Sequence, residues 1–319
     1  ACVADAASRP LHWVYDMSDL NRHLKGVEST PEFYPESKSP FYSMPTGENS
    51  CYFDQPAAVL TSMRRANGAY DYDDICREFL KQFGPVGSRY DMAKREEYMQ
   101  LRREGRIEGP IEGKWMHGCL IKFMENFAAG RKPYGDGHIK ETDGFCCAIP
   151  IVAKMAGSAD MLAKAEELIK TMSTWPTAVS HGMVASKILE KFVLASDPDP
   201  IRGTKAEIRS SYPDVYDSIE AVEEHLKDDH VKTVGFVFGR PCYNPGSFQG
   251  ALHAVMTSDN FAEAVRMTIR AGGCNCSRAT FIGAMAGAKY GLDGIPREWI
   301  DKTFDAERVL DDAIFVMKD

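Results

Sequence analysis

No stretch of this 319-residue sequence approaches the roughly 18 uninterrupted apolar residues that a membrane-spanning helix needs. It contains neither a Gly-x-x-x-x-Gly-Lys-Ser/Thr phosphate loop nor a Gly-x-Ser-x-Gly nucleophile elbow. Positive charge is in the minority, with 38 Lys and Arg against 46 Asp and Glu, a net charge of −8. That balance argues against nucleic-acid and anionic-membrane partners, which need clustered basic side chains. A disulfide framework is also lacking. The nine cysteines, at 2, 51, 76, 119, 146, 147, 242, 274 and 276, are odd in number and unevenly spread, as reduced cytoplasmic thiols are. The opening Ala1-Cys2-Val3-Ala4-Asp5 is too short and too acidic for a secretory signal, and without a Met it reads as processed, trimmed or incomplete. No repeat of 20–50 residues, no low-complexity tract and no regular β-branched alternation is visible.

What is present is helical periodicity over an ordinary globular composition, 44% hydrophobic and 26% charged. A chain this long buries about 75% of its unfolded surface, enough for a core without staples. The Pro- and Ser-rich stretch 34–49 reads as an ordered loop. Helical spacing follows over 55–65, with Val59, Leu60 and Met63 on one face, and over 71–83. The charged run 91–107 predicts a surface helix stopped at Gly109-Pro110. More apolar helices are expected over 115–127 and 145–156, and others over 161–172, 177–192, 216–226, 250–257 and 261–271. Thr233 to Phe238 is ambiguous between strand and helix. Over 278–290, Gly283, Gly287 and Gly291 recur every four residues, which predicts a close helix backbone against that stripe. Ile295-Pro296 opens a further helix, with Pro at its first position. An all-α domain over 1–319 is the expectation.

Four separated segments carry a resemblance. They are Val3-Ala4-Asp5-Ala6-Ala7 with Pro10-Leu11-His12-Trp13; Ser50-Cys51-Tyr52-Phe53-Asp54-Gln55; Asp143-Gly144-Phe145 with Ala148-Ile149-Pro150; and Gly272-Gly273-Cys274-Asn275-Cys276-Ser277-Arg278, running through Gly287 to Ile295-Pro296 and Trp299. In order and spacing they resemble the ADP-ribosylglycohydrolase family: its opening Gly-Asp-Ala-x-Gly-x-Pro-x-Glu, its Thr-Asp-Asp-Thr metal motif, its Gly-Asn-Gly…Ala-Pro segment and its Gly-Gly-Asp-Thr-Asp-Thr signature. Pro10 to Asp16, Thr177 to Gly182 and Pro245-Gly246-Ser247-Phe248 are similar to its J-crystallin branch. The resemblance implies a compact multi-helix orthogonal bundle whose opening helix begins before Ala1. It also implies a pair of Mg²⁺ ions that organise an ADP-ribose-like substrate.

Departures from the pattern fall on the ligands. Tyr52 and Phe53 stand where the family has Thr and its first Asp, leaving Asp54. Cys274 and Cys276 replace the two later Asp, Asn275 and Ser277 the two Thr, and His12 the opening Glu. One carboxylate cannot balance two divalent ions, and thiols are too soft for magnesium. The expectation is therefore no cofactor, the Mg²⁺ pair lost at the degenerate positions Tyr52, Phe53, Asp54, Cys274, Cys276 and Ser277. Asp5, Asp54, Gly144, His181, Gly273 and Asn275 would remain as a vestigial substrate cleft. Asp5 is read as a structural hydrogen-bond partner, and Asp54 as a helix cap before Gln55-Pro56. His181 lines the old cleft or is a core histidine, and both readings stay open. Cys274 and Cys276 would gain reactivity at a helix N-terminus. Vicinal Cys146-Cys147 and Cys274-x-Cys276 lack a second pair for a zinc site.

The leading expectation is a structural, crystallin-type protein of lens-cell cytoplasm, without catalysis. The alternatives are a hydrolase of ADP-ribosyl-type N-glycosidic bonds, with Asp5, His12, Asp54 or His181 as acid–base groups, and an ADP-ribose-binding module without turnover. Self-association is left open. Nucleic acid and membrane are excluded as partners, and an ADP-ribose-like ligand is disfavoured.

Overall fold

The computed structural model describes residues 1–86, 88–106 and 109–318. The first half of the chain forms α1 (Cys2–Ser8), α2 (Met17–Leu24), α3 (Cys51–Arg65), α4 (Tyr72–Phe83), α5 (Met92–Arg103), α6 (Gly118–Ala128), α7 (Asp143–Met155), α8 (Met161–Met172) and α9 (Pro176–Leu194). The second half forms α10 (Pro200–Ile208), α11 (Pro213–Glu224), α12 (His230–Thr233), α13 (Gly246–Thr257), α14 (Phe261–Ala271), α15 (Asn275–Tyr290), α16 (Arg297–Lys302) and α17 (Ala306–Met317). Among the described residues, strand pairing beyond isolated bridges is confined to the short parallel pair β1 (Tyr42–Ser43) and β2 (Ile111–Glu112). The architecture is all-α, and no described helix is long and apolar enough to cross a membrane.

Helix α15 is the hub. Its small residues let α1, α13 and α14 pack on it, and α3, α7 and α9 also touch it. Residues 275–283 are buried without a break, as a helix covered on every side requires. One hydrophobic cluster runs from Val3 to Val316. A smaller one gathers Tyr42, Met44, Tyr98, Ile111 and Trp115 where β1 and β2 meet α5.

Several elements differ from their expected bounds. Helix α3 starts at Cys51 because the Ser50 hydroxyl accepts the Tyr52 amide at 3.2 Å. Helix α5 ends at Arg103, and Ile107 lies outside the described residues. The ambiguous 233–238 segment is helical: Thr233 ends α12, and Val234–Phe238 form a wider π-type turn. Val234 and Phe238 are buried at i, i+4 while Phe236 and Val237 face solvent, a helical rather than alternating division. Pro296 precedes α16 as its cap residue rather than opening it.

The glycine stripe on α15 divides in three. A Cβ on Gly283 would sit 2.6 Å from the Ala4 Cβ and 3.0 Å from the Ala1 nitrogen, so α1 is the close backbone. Gly287 has no such neighbour within 4 Å. Gly291 ends the helix with φ +70°, a conformation that favours glycine.

Candidate functional site

The first and last motif segments meet where α1 packs against α15. A backbone bridge pins them: the Trp13 amide donates to the Gly273 carbonyl and the Gly273 amide to the Val14 carbonyl, both at 2.7 Å. Gly273 has φ +64°, and a Cβ there would lie 2.5 Å from the Arg240 Cβ. Trp13 itself has φ +63°, a strained conformation for a bulky residue.

Asp5 is fully buried on α1. Its carboxylate accepts the Ser50 hydroxyl at 2.6 Å, the Ser50 amide at 2.7 Å and the Asn49 amide group at 3.0 Å. Burial pushes its pKa above the ordinary aspartate value, and the Ser50 and Asn49 donors oppose that rise. With all its contacts directed at the N-terminus of α3, Asp5 is a clasp between two helices. The Asn275 side chain donates to the Ser8 carbonyl at 3.1 Å, tying α15 to α1 in the same way.

His12 is also fully buried. Its Nδ1 lies 2.7 Å from the Tyr42 hydroxyl and its Nε2 3.3 Å from Cys274 Sγ, with the ring stacked on Trp13 at 4.3 Å. Cys274 is the cap residue of α15 and lies 3.3 Å from the Tyr52 hydroxyl as well. Burial raises the Cys274 pKa, but the hydrogen bond with Cys242 and the His12 ring outweigh it, leaving the thiol well below its ordinary value. Cys276 behaves oppositely. It is inside the first turn, faces Ser8 and the Asp5 carbonyl, and burial raises its thiol pKa. The two thiols of the expected pair therefore have opposite surroundings, and both are fully buried. Ser277 turns back to the Cys274 carbonyl at 2.8 Å and to Ser247 at 3.0 Å. Tyr52, Cys146, Cys274 and Cys276 form one closed cluster, with Trp13 and Cys242 at its edge.

Asp54 does not cap α3; Ser50 does. The Asp54 carboxylate instead ion-pairs with the Lys114 ammonium and accepts the Tyr90 hydroxyl at 2.5 Å. Lys114 is almost fully buried and also donates to the Asn49 carbonyl at 3.1 Å. A fixed cation thus sits on the one carboxylate left at the motif positions. The neighbouring recess, bounded by Phe53, Asp54, Arg89, Lys114 and Arg308, holds about 40 Å³. These residues do not fit a magnesium pair: the charge on Asp54 is already balanced, Phe53 is a buried ring, and the facing positions are thiols.

His181 and Gly144 lie apart from this constellation. The His181 Nδ1–H donates to the Thr177 carbonyl at 2.8 Å, and its Nε2 is 3.0 Å from the Ser218 hydroxyl on α11. Burial lowers its pKa, so the ring is neutral at pH 7. Gly144 lets α7 approach α8, since a Cβ there would lie 2.9 Å from the Ile169 carbonyl. The sequence reading missed Lys114, Tyr42, Tyr90 and the buried pair His117–Asp143. His117 Nδ1 is 2.6 Å from Asp143, which also accepts Gln55 Nε2 at 2.5 Å. Burial opposes charge on His117, yet Cys51 and Asp143 hold its pKa well above the ordinary value. Asp143 stands within the third motif segment and had been given no role of its own.

Comparison with known proteins agrees with the geometry. The family model described as ADP-ribosylglycohydrolase matches residues 1–318. Crystallin J1A of Tripedalia cystophora is 29% identical over 303 residues, covering 94% of this chain and 88% of that protein. Crystallin J1B of the same organism is 28% identical over 322 residues, covering 99% and 93%. ADP-ribosylarginine hydrolase Tri1 of Serratia proteamaculans (strain 568) is 32% identical over 93 residues, 28% of this chain and 24% of that one. A solved structure described as an ADP-ribosylglycohydrolase-related protein complex shares the fold with TM-score 0.61 and 18% identity, covering 99% of this chain and 93% of that one. From its first helix to its last, the chain belongs to the ADP-ribosylglycohydrolase family.

Proposed function

We propose that this chain is a structural, crystallin-type member of its family, abundant in lens-cell cytoplasm, that has given up dimetal hydrolase chemistry. The observation that carries this reading is the Lys114 ammonium on Asp54, which supplies from within the protein the positive charge that a metal would bring. The adjoining recess of about 40 Å³ supports it, because sites for ligands of this size run to roughly 300–1,000 Å³. Full-length similarity to two crystallins points the same way. Fifteen Met and nine Cys supply polarizable side chains, and a net charge of −8 favours solubility at high concentration and disfavours nucleic acid and membrane surfaces.

The hydrolase reading rests on the 93-residue match to an ADP-ribosylarginine hydrolase. Calorimetric titration with ADP-ribose, with and without Mg²⁺, separates the two when run beside a turnover assay on ADP-ribosyl-arginine. The structural role predicts no heat of binding and no turnover in either buffer. Magnesium-dependent binding with turnover would establish the hydrolase instead, and binding alone would establish a non-catalytic module.

A further inference from the structure

Away from the degenerate motif ligands, three helix N-termini converge on one buried cluster. Cys51 opens α3, His117 caps α6 with Cys119 in its first turn, and Asp143 opens α7. A ring nitrogen of His117, Cys119 Sγ and an Asp143 carboxylate oxygen all lie within 4.8 Å of one another, and each residue is buried. Cys51, at the start of α3, lies beside the group without belonging to its inner set. Gln55 spans the group, with Nε2 2.5 Å from Asp143 and 3.9 Å from Cys51 Sγ, while its Oε1 accepts the Cys147 thiol at 3.1 Å.

We propose that His117, Cys119 and Asp143 form a binding site for one soft divalent cation, of which Zn²⁺ is the fitting case, with water as the fourth ligand. Zinc takes four N, S or O ligands at about 2.0–2.3 Å in a tetrahedron, which places neighbouring donors roughly 3.2–3.8 Å apart. His117 and Asp143 would open from 2.6 Å, and the donors now up to 4.8 Å apart would close by about 1 Å. The ion replaces protons: the one His117 shares with Asp143, and that of the Cys119 thiol, pass to solvent as the bonds to metal form. Imidazole, thiolate and carboxylate together suit zinc and not magnesium. Gln55 is placed as the outer partner that orients the carboxylate. The helix N-termini favour the anionic ligand forms. None of this depends on the structural role proposed above, because these side chains lie outside the positions of the family's magnesium ligands.

The test is the zinc content of the full chain, purified without chelator or metal-affinity resin, by plasma mass spectrometry. Titration of the chelator-treated protein with Zn²⁺ and Co²⁺ follows. The expected result is about one zinc per chain, with a Co²⁺ complex showing a thiolate-to-metal charge-transfer band. Cys119→Ser should weaken Zn²⁺ by at least about a hundredfold, since even outer-shell changes cost 10–100-fold. Cys76→Ser, a buried thiol on α4, should leave it unchanged. A wild-type protein that holds no zinc and takes up none overturns the proposal. So does a Co²⁺ spectrum without a thiolate band, which needs no variant to fold. Undiminished binding in Cys119→Ser does the same.

Discussion

Two glycines one helical turn apart on α15 should respond to the same substitution with opposite signs. Alanine gains about 1 kcal/mol over glycine inside a helix, whatever its surroundings. At Gly287 nothing lies within 4 Å of the new methyl group, so Gly287→Ala should stabilise by roughly 0.5–1 kcal/mol. At Gly283 the methyl would stand 2.6 Å from the Ala4 Cβ and about as close to the start of α1, where ordinary carbon contacts are near 3.5–4.0 Å. Helix α1 cannot give way freely, because Asp5, one residue on, is held by three hydrogen bonds from Asn49 and Ser50. Overpacking of this kind costs about 1–3 kcal/mol, which exceeds the propensity gain. Gly283→Ala should therefore destabilise by roughly 1–2 kcal/mol, and adding Ala4→Gly should recover part of that loss. Urea unfolding followed by circular dichroism gives the three values, compared at matched slope. Equal signs for the two single substitutions, or no coupling between positions 4 and 283, would refute the close approach of α1 to α15.

Removing the Lys114 ammonium with Lys114→Met leaves the mostly buried Asp54 without its ion partner, and the expected loss is about 3–5 kcal/mol by urea unfolding; a change under about 1 kcal/mol would mean that solvent already screens this pair. The buried rings of His230 and His253 face each other Nδ1 to Nδ1 at 3.0 Å, with Arg270 and Arg278 near the first and His225, Asp228 and Asp229 near the second. Burial lowers both pKa values, so the pair stays neutral when folded while the unfolded chain takes up protons. Stability is then full well above about pH 6.5 and falls as pH drops below it, each histidine contributing until pH reaches its own lowered folded pKa. His253→Asn should flatten that slope relative to wild type, and parallel slopes would argue against the pair. Diamide treatment of the native protein should join Cys274 to Cys242, its hydrogen-bonding partner, and not to Cys276; a 274–276 linkage in the peptide map would reverse that assignment.

Helices were legible wherever a continuous apolar face had to be buried, as in α8 and α14, whose bounds match the periodicity residue for residue. The elements overlooked include some with little to bury, although α10, also overlooked, buries Pro200, Ile201, Thr204 and Ile208. Helix α2 places only Leu20 and Leu24 in the core, and α17 buries only Ala306 and Val316. The glycine stripe shows the same limit. Spacing identified one face of α15, but a four-residue repeat is the same letter pattern whether the glycine admits a backbone, faces open space or ends the helix. Only the neighbours that tertiary packing supplies distinguish Gly283, Gly287 and Gly291.

The site divides along similar lines. Departures were readable, because a motif states which residue type each position requires, and Phe53, Cys274 and Cys276 differ from it in type. Partners were not, because the group that meets a buried charge need not lie near it in sequence. Lys114 is sixty residues from Asp54, and Tyr42 is thirty from His12. Asp143 stood inside a motif segment, but its partner His117 precedes it by 26 positions, and a lone histidine ahead of an apolar helix carries no sign of the carboxylate it will meet. In each pair one member is marked by the family pattern and the other is recruited by burial. A charge withdrawn from water must find its opposite within a few ångströms or be neutralised. The sequence at these motif positions therefore reveals where residue types depart from the family pattern, while the side chains that surround those departures become visible only when the helices are assembled.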